Sequence, residues 1–117
     1  MEVYKDSNFT VQQRVDDLLA RMTLEEKIAQ LGAQWLILAS NGEHQDRDFE
    51  MGSQDERKSI QERLKHGLGQ ITRPLGTQVI SPNEGVKALN QLQKYLVEET
   101  RLGIPAMSHE ECLVGLM

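Results

Sequence analysis

Four successive side chains, His109-Glu110-Glu111-Cys112, have the functional groups of a binding or catalytic site. They follow a short apolar segment, residues 104–107, which comes directly after a helix end at Gly103. In an α/β barrel, polar groups just beyond the carboxyl end of a strand face the active site. Because neighbouring side chains on an extended segment point to opposite faces, only one of the two glutamates is expected to enter a pocket. Spacing alone favours the simpler alternative, in which both glutamates are solvated, as most glutamates are.

The same four residues match neither a metal site nor a nucleophilic centre. Their spacing differs from that of the helical zinc motif, which has two histidines four residues apart. No partner arrangement for a nucleophile surrounds Cys112, so a buried, apolar cysteine is expected instead. The glycines at positions 67, 69 and 76 fit neither the P-loop nor the dinucleotide fingerprint. We therefore expect no metal and no cofactor.

Arg73 is a further candidate, because it follows the other predicted strand, residues 69–72. From this position a barrel strand delivers side chains to the active-site face. The alternative is an exposed arginine in the turn formed by residues 73–76. Trp35 has a planar ring for stacking against a ligand, but it lies in an apolar run, residues 35–39, and is expected in the core.

Helix-capping signals mark the elements that position these residues. They predict helix starts at Thr10, at Thr23 with Glu26, and at Ser81 with Pro82 and Glu84. Apolar residues at helical spacing are predicted to face the core: Val15, Leu18, Leu19, Met22, Leu24, Ile28, Leu31, Val86, Leu89, Leu92 and Leu96. Residues 54–65 are expected to be helical, and Gly67 suits the left-handed position that follows such a helix. Residues 43–53 are polar and irregular, which predicts a mobile surface loop.

The order of these elements indicates an α/β fold. Two short strands joined by a helix form a βαβ unit, so residues 69–72 and 104–107 are expected to pair in parallel. Two strands alone cannot bury both faces of a parallel sheet. The chain is therefore expected to be the start of a larger α/β domain.

Composition bounds the class of protein. The 117 residues suffice for one domain, and a net charge of −5 argues against a nucleic-acid-binding face. The one cysteine cannot form an internal disulfide, which fits a reducing compartment. No apolar stretch has the length of a signal peptide or of a membrane span. From these features we expect a cytoplasmic protein with neither a nucleic-acid nor a membrane partner.

Three blocks of the sequence resemble the N-terminal part of glycoside hydrolase family 3, the β-glucosidase and β-xylosidase family. Residues 15–31, VDDLLARMTLEEKIAQL, are similar to the helical signature of that family. Residues 66–71, HGLGQI, are similar to its first barrel strand, and residues 100–115, TRLGIPAMSHEECLVG, to its second strand and the following loop. The blocks occur in the family's order and together span most of the chain.

This resemblance implies a fold and an activity. Residues 1–117 would be the N-terminal fragment of a catalytic (β/α)8 TIM-like barrel domain, comprising the helical N-terminus and the first two strands. Family members release terminal β-D-glucosyl or β-D-xylosyl residues with retention, through a glycosyl-enzyme intermediate. Their catalytic nucleophile and acid/base lie much later in the chain, so the fragment alone is expected to be inactive. The remainder of the enzyme, or a homo-oligomer, would cover its exposed surfaces.

The resemblance also implies roles for particular residues. The family's acidic residue in the second-strand loop binds hydroxyls of the sugar in the −1 subsite, and counting back four from Gly115 gives that role to Glu111. Arg73 and His109 are expected as its neighbours in the substrate pocket. Many relatives have a histidine where this chain has Val114, so no polar role is expected there. The implied partner is a small glycoside or oligosaccharide.

A non-catalytic alternative is a small helical interaction module that uses its leucine stripes to bind a partner. The two hypotheses predict different structures. Parallel pairing of residues 104–107 with residues 69–72 favours the barrel. A closed helix bundle in which residues 104–107 remain unpaired favours the module.

Overall fold

The computed structural model describes residues 1–37, 45–46, 60–76 and 80–112. The helices are α1 (Val11–Arg21), α2 (Leu24–Leu31), α3 (Ile60–Leu64) and α4 (Pro82–Glu99), preceded by a short 3-10 helix (Val3–Lys5). The strands are β1 (Ala33–Ile37), β2 (Gln45–Asp46), β3 (Gln70–Thr72) and β4 (Met107–His109).

Helices α1, α2 and α4 begin where the capping signals predict. In each, the capping side chain (Thr10, Thr23 or Ser81) accepts a hydrogen bond from the backbone N–H three residues later. The side chain of that later residue accepts a hydrogen bond from the N–H of the capping residue in return. Each reciprocal pair satisfies two donors that a helix start leaves unpaired, which explains why these starts are readable from the sequence.

The strands form one sheet in the order β2-β1-β3-β4. β3 is parallel to both β1 and β4, whereas β2 pairs antiparallel with β1. The predicted parallel direction of pairing across α4 is therefore confirmed. The predicted bounds of the second strand are wrong, because β4 runs from Met107 to His109 and shares only Met107 with the predicted residues 104–107.

The later start of β4 has a local cause. The backbone N–H of Ala106 donates to Gln93 Oε1 at 3.0 Å, and the Ala106 carbonyl accepts from Gln93 Nε2 at 2.7 Å. Both backbone groups of Ala106 are thus satisfied by one side chain of α4. Pro105 has no N–H to donate to a neighbouring strand. The ladder begins with Met107, whose N–H donates to the Gly69 carbonyl at 2.8 Å.

The main core lies between α4 and one face of the sheet. Its buried side chains are Leu64, Leu68, Ile71, Ala88, Leu92, Leu96 and Ala106. Ile71 of the central strand and Leu96 of α4 are both 0% exposed. The two residues beside Ile71 on β3, Gln70 and Thr72, therefore face the opposite side of the sheet.

A second, smaller core joins the N-terminal segment to the end of α4. Tyr4, Met22 and Leu102 are buried together, and the Tyr4 hydroxyl donates to the Leu102 carbonyl at 2.9 Å. Nearby, the guanidinium of Arg101 donates to the buried carboxylate of Glu26. The segment after α4 is therefore linked to the N-terminal segment by apolar contacts and to α2 by an ion pair.

The prediction that every apolar stripe faces the core is wrong for α2 and only partly correct for the stripe of α1, of which Met22 is buried and Leu18 packs against the second core. Leu92 and Leu96 of α4 are buried as predicted, but Leu24, Ile28 and Leu31 of α2 are 68%, 59% and 87% exposed. The other exposed members of the predicted stripes are Val15, Leu19 and Val86. Helical spacing places apolar residues on one side of a helix, but it does not show how much of that side a neighbouring element covers.

Other sequence predictions lie partly outside the described residues. The apolar run at residues 35–39 overlaps β1, and the helix predicted over residues 54–65 overlaps α3. Within the loop predicted over residues 43–53, only β2 is described. Gly67 has a φ of 91°, as predicted for the left-handed position after α3. No described helix is both long enough and apolar enough to cross a membrane.

Candidate functional site at the carboxyl ends of the parallel strands

Three side chains form a row across the sheet, one on each parallel strand. Trp35 of β1 is aligned with Thr72 of β3, and Thr72 is aligned with His109 of β4. The Oγ1 atom of Thr72 lies 3.1 Å from Nε2 of His109, within hydrogen-bonding distance. The row lies on the sheet face opposite α4, near the carboxyl ends of the strands.

Arg73 continues directly from this row. Its backbone has a φ of 49°, in the left-handed region that residues other than glycine seldom adopt. Its N–H donates to the His109 carbonyl at 2.9 Å, and its side chain bends back over the sheet. The guanidinium carbon lies 5.2 Å from the centre of the Trp35 ring, which is a cation–π distance. An Nη2 donor of the same guanidinium reaches the Gly76 carbonyl at 3.2 Å.

The two adjacent glutamates face different surroundings, as expected for neighbours on an extended segment. Glu110 turns toward the loop after β3, where its Oε1 accepts hydrogen bonds from the N–H groups of Leu75 at 2.6 Å and Gly76 at 3.3 Å. The Glu111 side chain is 58% exposed, and its Oε2 lies 3.6 Å from Nη1 of Arg73. Glu111 is thus the carboxylate of the pair that is available to a ligand.

The candidate residues Arg73, His109 and Glu111 therefore come together at one edge of the sheet. They combine a guanidinium, an imidazole and an accessible carboxylate, beside the hydroxyl of Thr72 and the ring of Trp35. Such a set can donate to and accept from the hydroxyl groups of a ligand, and charged groups make the stronger hydrogen bonds.

Two expectations for this region are corrected by the structure. Cys112 is exposed and not buried, because it follows β4 in a segment that packs against none of the described core. Trp35 is only partly buried, and its ring contacts Arg73 instead of lying in the α4 core. Among the residues that the structure describes, no group of His, Cys, Asp and Glu side chains is arranged to hold a metal ion.

Sequence reasoning missed the neighbourhood of Trp35 and the hydrogen bonds of Glu110. The apolar run that contains Trp35 gives no sign of whether it is helix or strand, so its alignment with Thr72 cannot be derived. Glu110 bonds to residues 34 and 35 positions earlier, a separation at which no local pattern operates. One signal does point to the hydrogen bonds of Glu110: the backbone N–H groups of the turn after β3 need acceptors.

Comparison with known proteins finds relatives along most of the chain, although no protein-family model matches it. A Formosa agariphila protein named for beta-xylosidase is 34% identical over 113 residues, which are 97% of this chain and 14% of that protein. Beta-glucosidase C of Emericella nidulans is 32% identical over 105 residues, covering 90% of this chain and 15% of that protein. An Aspergillus oryzae protein named for beta-glucosidase C is 31% identical over 106 residues, covering 88% and 15%.

The relatives are much longer than this chain. It spans about 14 to 15% of the length of the curated proteins that it matches. Their names are those of a beta-xylosidase and of beta-glucosidases. Along most of its length, the chain is therefore similar to one segment of much longer β-glycosidases.

Proposed function

We propose that this chain is the first part of the catalytic barrel of a retaining, exo-acting β-glycosidase. In this proposal the parallel strands β1, β3 and β4 belong to a (β/α)8-like barrel of the family that the sequence resembles. Their carboxyl ends supply part of the pocket for the terminal sugar. The substrate is a small glycoside or oligosaccharide that ends in a β-D-glucosyl or β-D-xylosyl residue.

One observation carries the proposal: Arg73, His109 and Glu111 converge just beyond the carboxyl ends of strands that pair in parallel. This is the edge at which α/β barrels bind their substrates. The similarity to proteins named for beta-xylosidase and beta-glucosidase supports a sugar as the ligand. The parallel ladder also favours the barrel over a helical interaction module. The module predicts a closed helix bundle and no strand pairing after α4.

Each proposed residue has a distinct task in the −1 subsite. Glu111 accepts hydrogen bonds from two sugar hydroxyls, and its charge strengthens them. Nη1 of Arg73 lies 3.6 Å from Oε2 of Glu111, so the guanidinium can donate to the same sugar from beside the carboxylate. His109, bonded to Thr72, presents its imidazole on the same side of the sheet. The nucleophile and the acid/base are supplied by later parts of the complete enzyme, so the 117-residue chain alone turns over no glycoside.

The test is a Glu111→Ala substitution in the complete protein, assayed on aryl β-D-glucosides and β-D-xylosides. Removing a charge-assisted hydrogen bond to the sugar is expected to lower kcat/KM by roughly 10- to 150-fold. Glu98→Ala, on the exposed face of α4, removes a carboxylate far from the site and is the matched control. An unchanged kcat/KM for Glu111→Ala would remove Glu111 from the subsite, and a wild-type protein without glycosidase activity would overturn the proposed function.

A further inference from the structure

We infer that Glu110 is a positioning residue, which holds the turn after β3 so that Arg73 lies between Trp35 and Glu111. The effect of this anchor on sugar binding rests on the proposed function. The anchor itself rests on contacts between described residues. Under this inference the adjacent carboxylates have different tasks: Glu111 contacts the ligand, and Glu110 holds the turn that positions Arg73.

The first step is the hydrogen bonding of the turn. Because Pro74 has no N–H, the segment from Arg73 to Gly76 offers three backbone donors. Those of Leu75 and Gly76 both donate to Oε1 of Glu110, and that of Arg73 donates to the carbonyl of His109. Every backbone donor of the turn is therefore satisfied by β4 or by the residue that follows it.

The second step is the convergence of Glu110 and Arg73 on Gly76. A Cβ atom placed on Gly76 would lie 2.8 Å from Oε2 of Glu110 and 3.6 Å from Nε and Nη2 of Arg73. The Gly76 N–H donates to Glu110, and the Gly76 carbonyl accepts from Arg73. The backbone of Gly76 is thus bonded to both side chains, and a Cβ atom at this position would force the Glu110 carboxylate to shift.

The third step is the strained backbone of Arg73. A residue with a side chain stays at a φ of 49° only where its surroundings hold it there. The Arg73 N–H is fixed by His109 on one side, and the following turn is fixed by Glu110 on the other. When the second anchor is lost, the turn can relax and carry the guanidinium away from Trp35 and Glu111.

The anchor can be measured by hydrogen exchange with mass spectrometry in the complete protein. Glu110→Ala removes the acceptor of the Leu75 and Gly76 amides and is expected to speed their exchange by about tenfold or more. Glu110→Asp keeps the charge but is one methylene shorter, so it is expected to release the turn as well. Glu110→Gln keeps an acceptor oxygen at the same reach and is expected to preserve most of the protection.

Several outcomes decide the inference. Unchanged exchange at residues 75–76 in both Glu110→Ala and Glu110→Asp would overturn it. If Glu110→Ala unfolds, which faster exchange across α4 would reveal, Glu110→Asp and Glu110→Gln still provide the comparison. Glu98→Ala is the control and is expected to leave the turn unchanged, since Glu98 pairs with Lys94 on the surface of α4.

Kinetics separate positioning from simple stability. Glu110→Ala is expected to reduce kcat/KM toward the value of Glu111→Ala, while Glu110→Gln retains activity near that of the wild type. Faster exchange with an unchanged kcat/KM would show that the anchor does not shape the site and would overturn the positioning role. A wild-type protein that hydrolyses no glycoside would refute the proposed function alone, because the exchange experiment still decides the anchor.

Discussion

Glu26 is the most deeply buried charged residue in the described part of the chain, with 6% of its surface exposed. Its carboxylate accepts from Nε of Arg101 at 2.9 Å and from the N–H of Thr23 at 2.8 Å. The Arg101 guanidinium beside it holds the pKa of this carboxyl below its ordinary value of 4.5. One side chain therefore serves two purposes, capping α2 and tying that helix to the end of α4.

Replacing Arg101 with alanine is expected to destabilise the protein and to reduce the loss of thermal stability at acidic pH. Because the pKa of Glu26 is lowered in the folded state, the pair stabilises the fold above about pH 4.5, and this stability is lost as the pH falls through the folded-state pKa. At about pH 7, Arg101→Ala is expected to lower the Tm by about 5 °C. Thermal unfolding at about pH 7 and about pH 3.5 measures both effects, since the Tm difference from the wild type should shrink in acid.

Lys94→Ala is the matched control for that comparison. Lys94 pairs with Glu98 at 3.8 Å on the surface of α4, and exposed pairs contribute little to stability. Its Tm is expected to stay close to that of the wild type at both pH values. A Tm difference for Arg101→Ala that is as large in acid as at neutral pH would contradict the assignment of this pair.

At this scale, the sequence predicts local contacts but not distant ones. The bond between Thr23 and Glu26 spans three residues, so its capping pattern can be recognised directly. The bond between Glu26 and Arg101 spans 75 residues, and nothing near either residue indicates the other. The same limit applies to the two glutamates: their place after a strand does not distinguish them, the family resemblance points to Glu111, and the anchor formed by Glu110 is not predicted at all.

At the scale of elements, the end of α2 lies close against the backbone that leads into β3. The Gly69 N–H donates to the Ala29 carbonyl at 3.0 Å, and the Gln70 N–H donates to the Gly32 carbonyl at 3.1 Å. These bonds draw the start of β3 against the last turn of α2. A Cβ atom on Gly69 would lie 2.0 Å from the Gln30 carbonyl oxygen, which belongs to the backbone and cannot rotate away.

Gly69→Ala is therefore expected to be strongly destabilising, by about 3 kcal/mol or more, because the helix or the strand must move. Gly32→Ala is the comparison at the same junction, where the new Cβ would lie 3.3 Å from the Ala29 carbonyl oxygen. Its expected cost is about 1 kcal/mol. Urea unfolding of both variants measures the difference, and equal midpoints would show that the junction is looser than described.

The strand after α4 shows that an apolar pattern can predict the type of an element without predicting where the element begins and ends. The apolar run at residues 104–107 indicates a strand beside β3, but only its last residue, Met107, is part of that strand. The preceding residue, Ala106, is not paired, because Gln93 of α4 bonds to both of its backbone groups. A side chain 13 residues away can thus replace a strand neighbour, and neither alternation nor apolar character reveals that competition.

Across the whole molecule, apolar residues fall into a covered group and an uncovered group. Leu96 of α4 is 0% exposed, whereas Leu31 of α2 is 87% exposed, although both belong to predicted core-facing stripes. Periodicity shows which side of a helix is apolar, but it does not show what lies against that side. In the proposed barrel, the later parts of the domain would cover this second group.

The two groups predict contrasting mutational effects in the 117-residue chain. Leu96→Ala opens a cavity in the core and is expected to cost about 2–5 kcal/mol. Leu31→Gln changes a solvated side chain and is expected to alter stability by less than about 0.5 kcal/mol. Denaturant unfolding checks both values. Similar losses for the two variants would mean that Leu31 is covered in the folded chain.

The contact between Glu26 and Arg101 has a consequence for folding during synthesis on the ribosome. Glu26 emerges 75 residues ahead of Arg101, an interval of roughly 4–15 s at about 5–20 residues per second. Throughout that time its carboxylate is surrounded by water, and α2 has no cationic neighbour to hold it in place. The helix can cap itself at Thr23 at once, but it can dock only after Arg101 has left the ribosome. A pause in translation after that point would therefore leave the N-terminus docked, whereas an earlier pause would leave it loose.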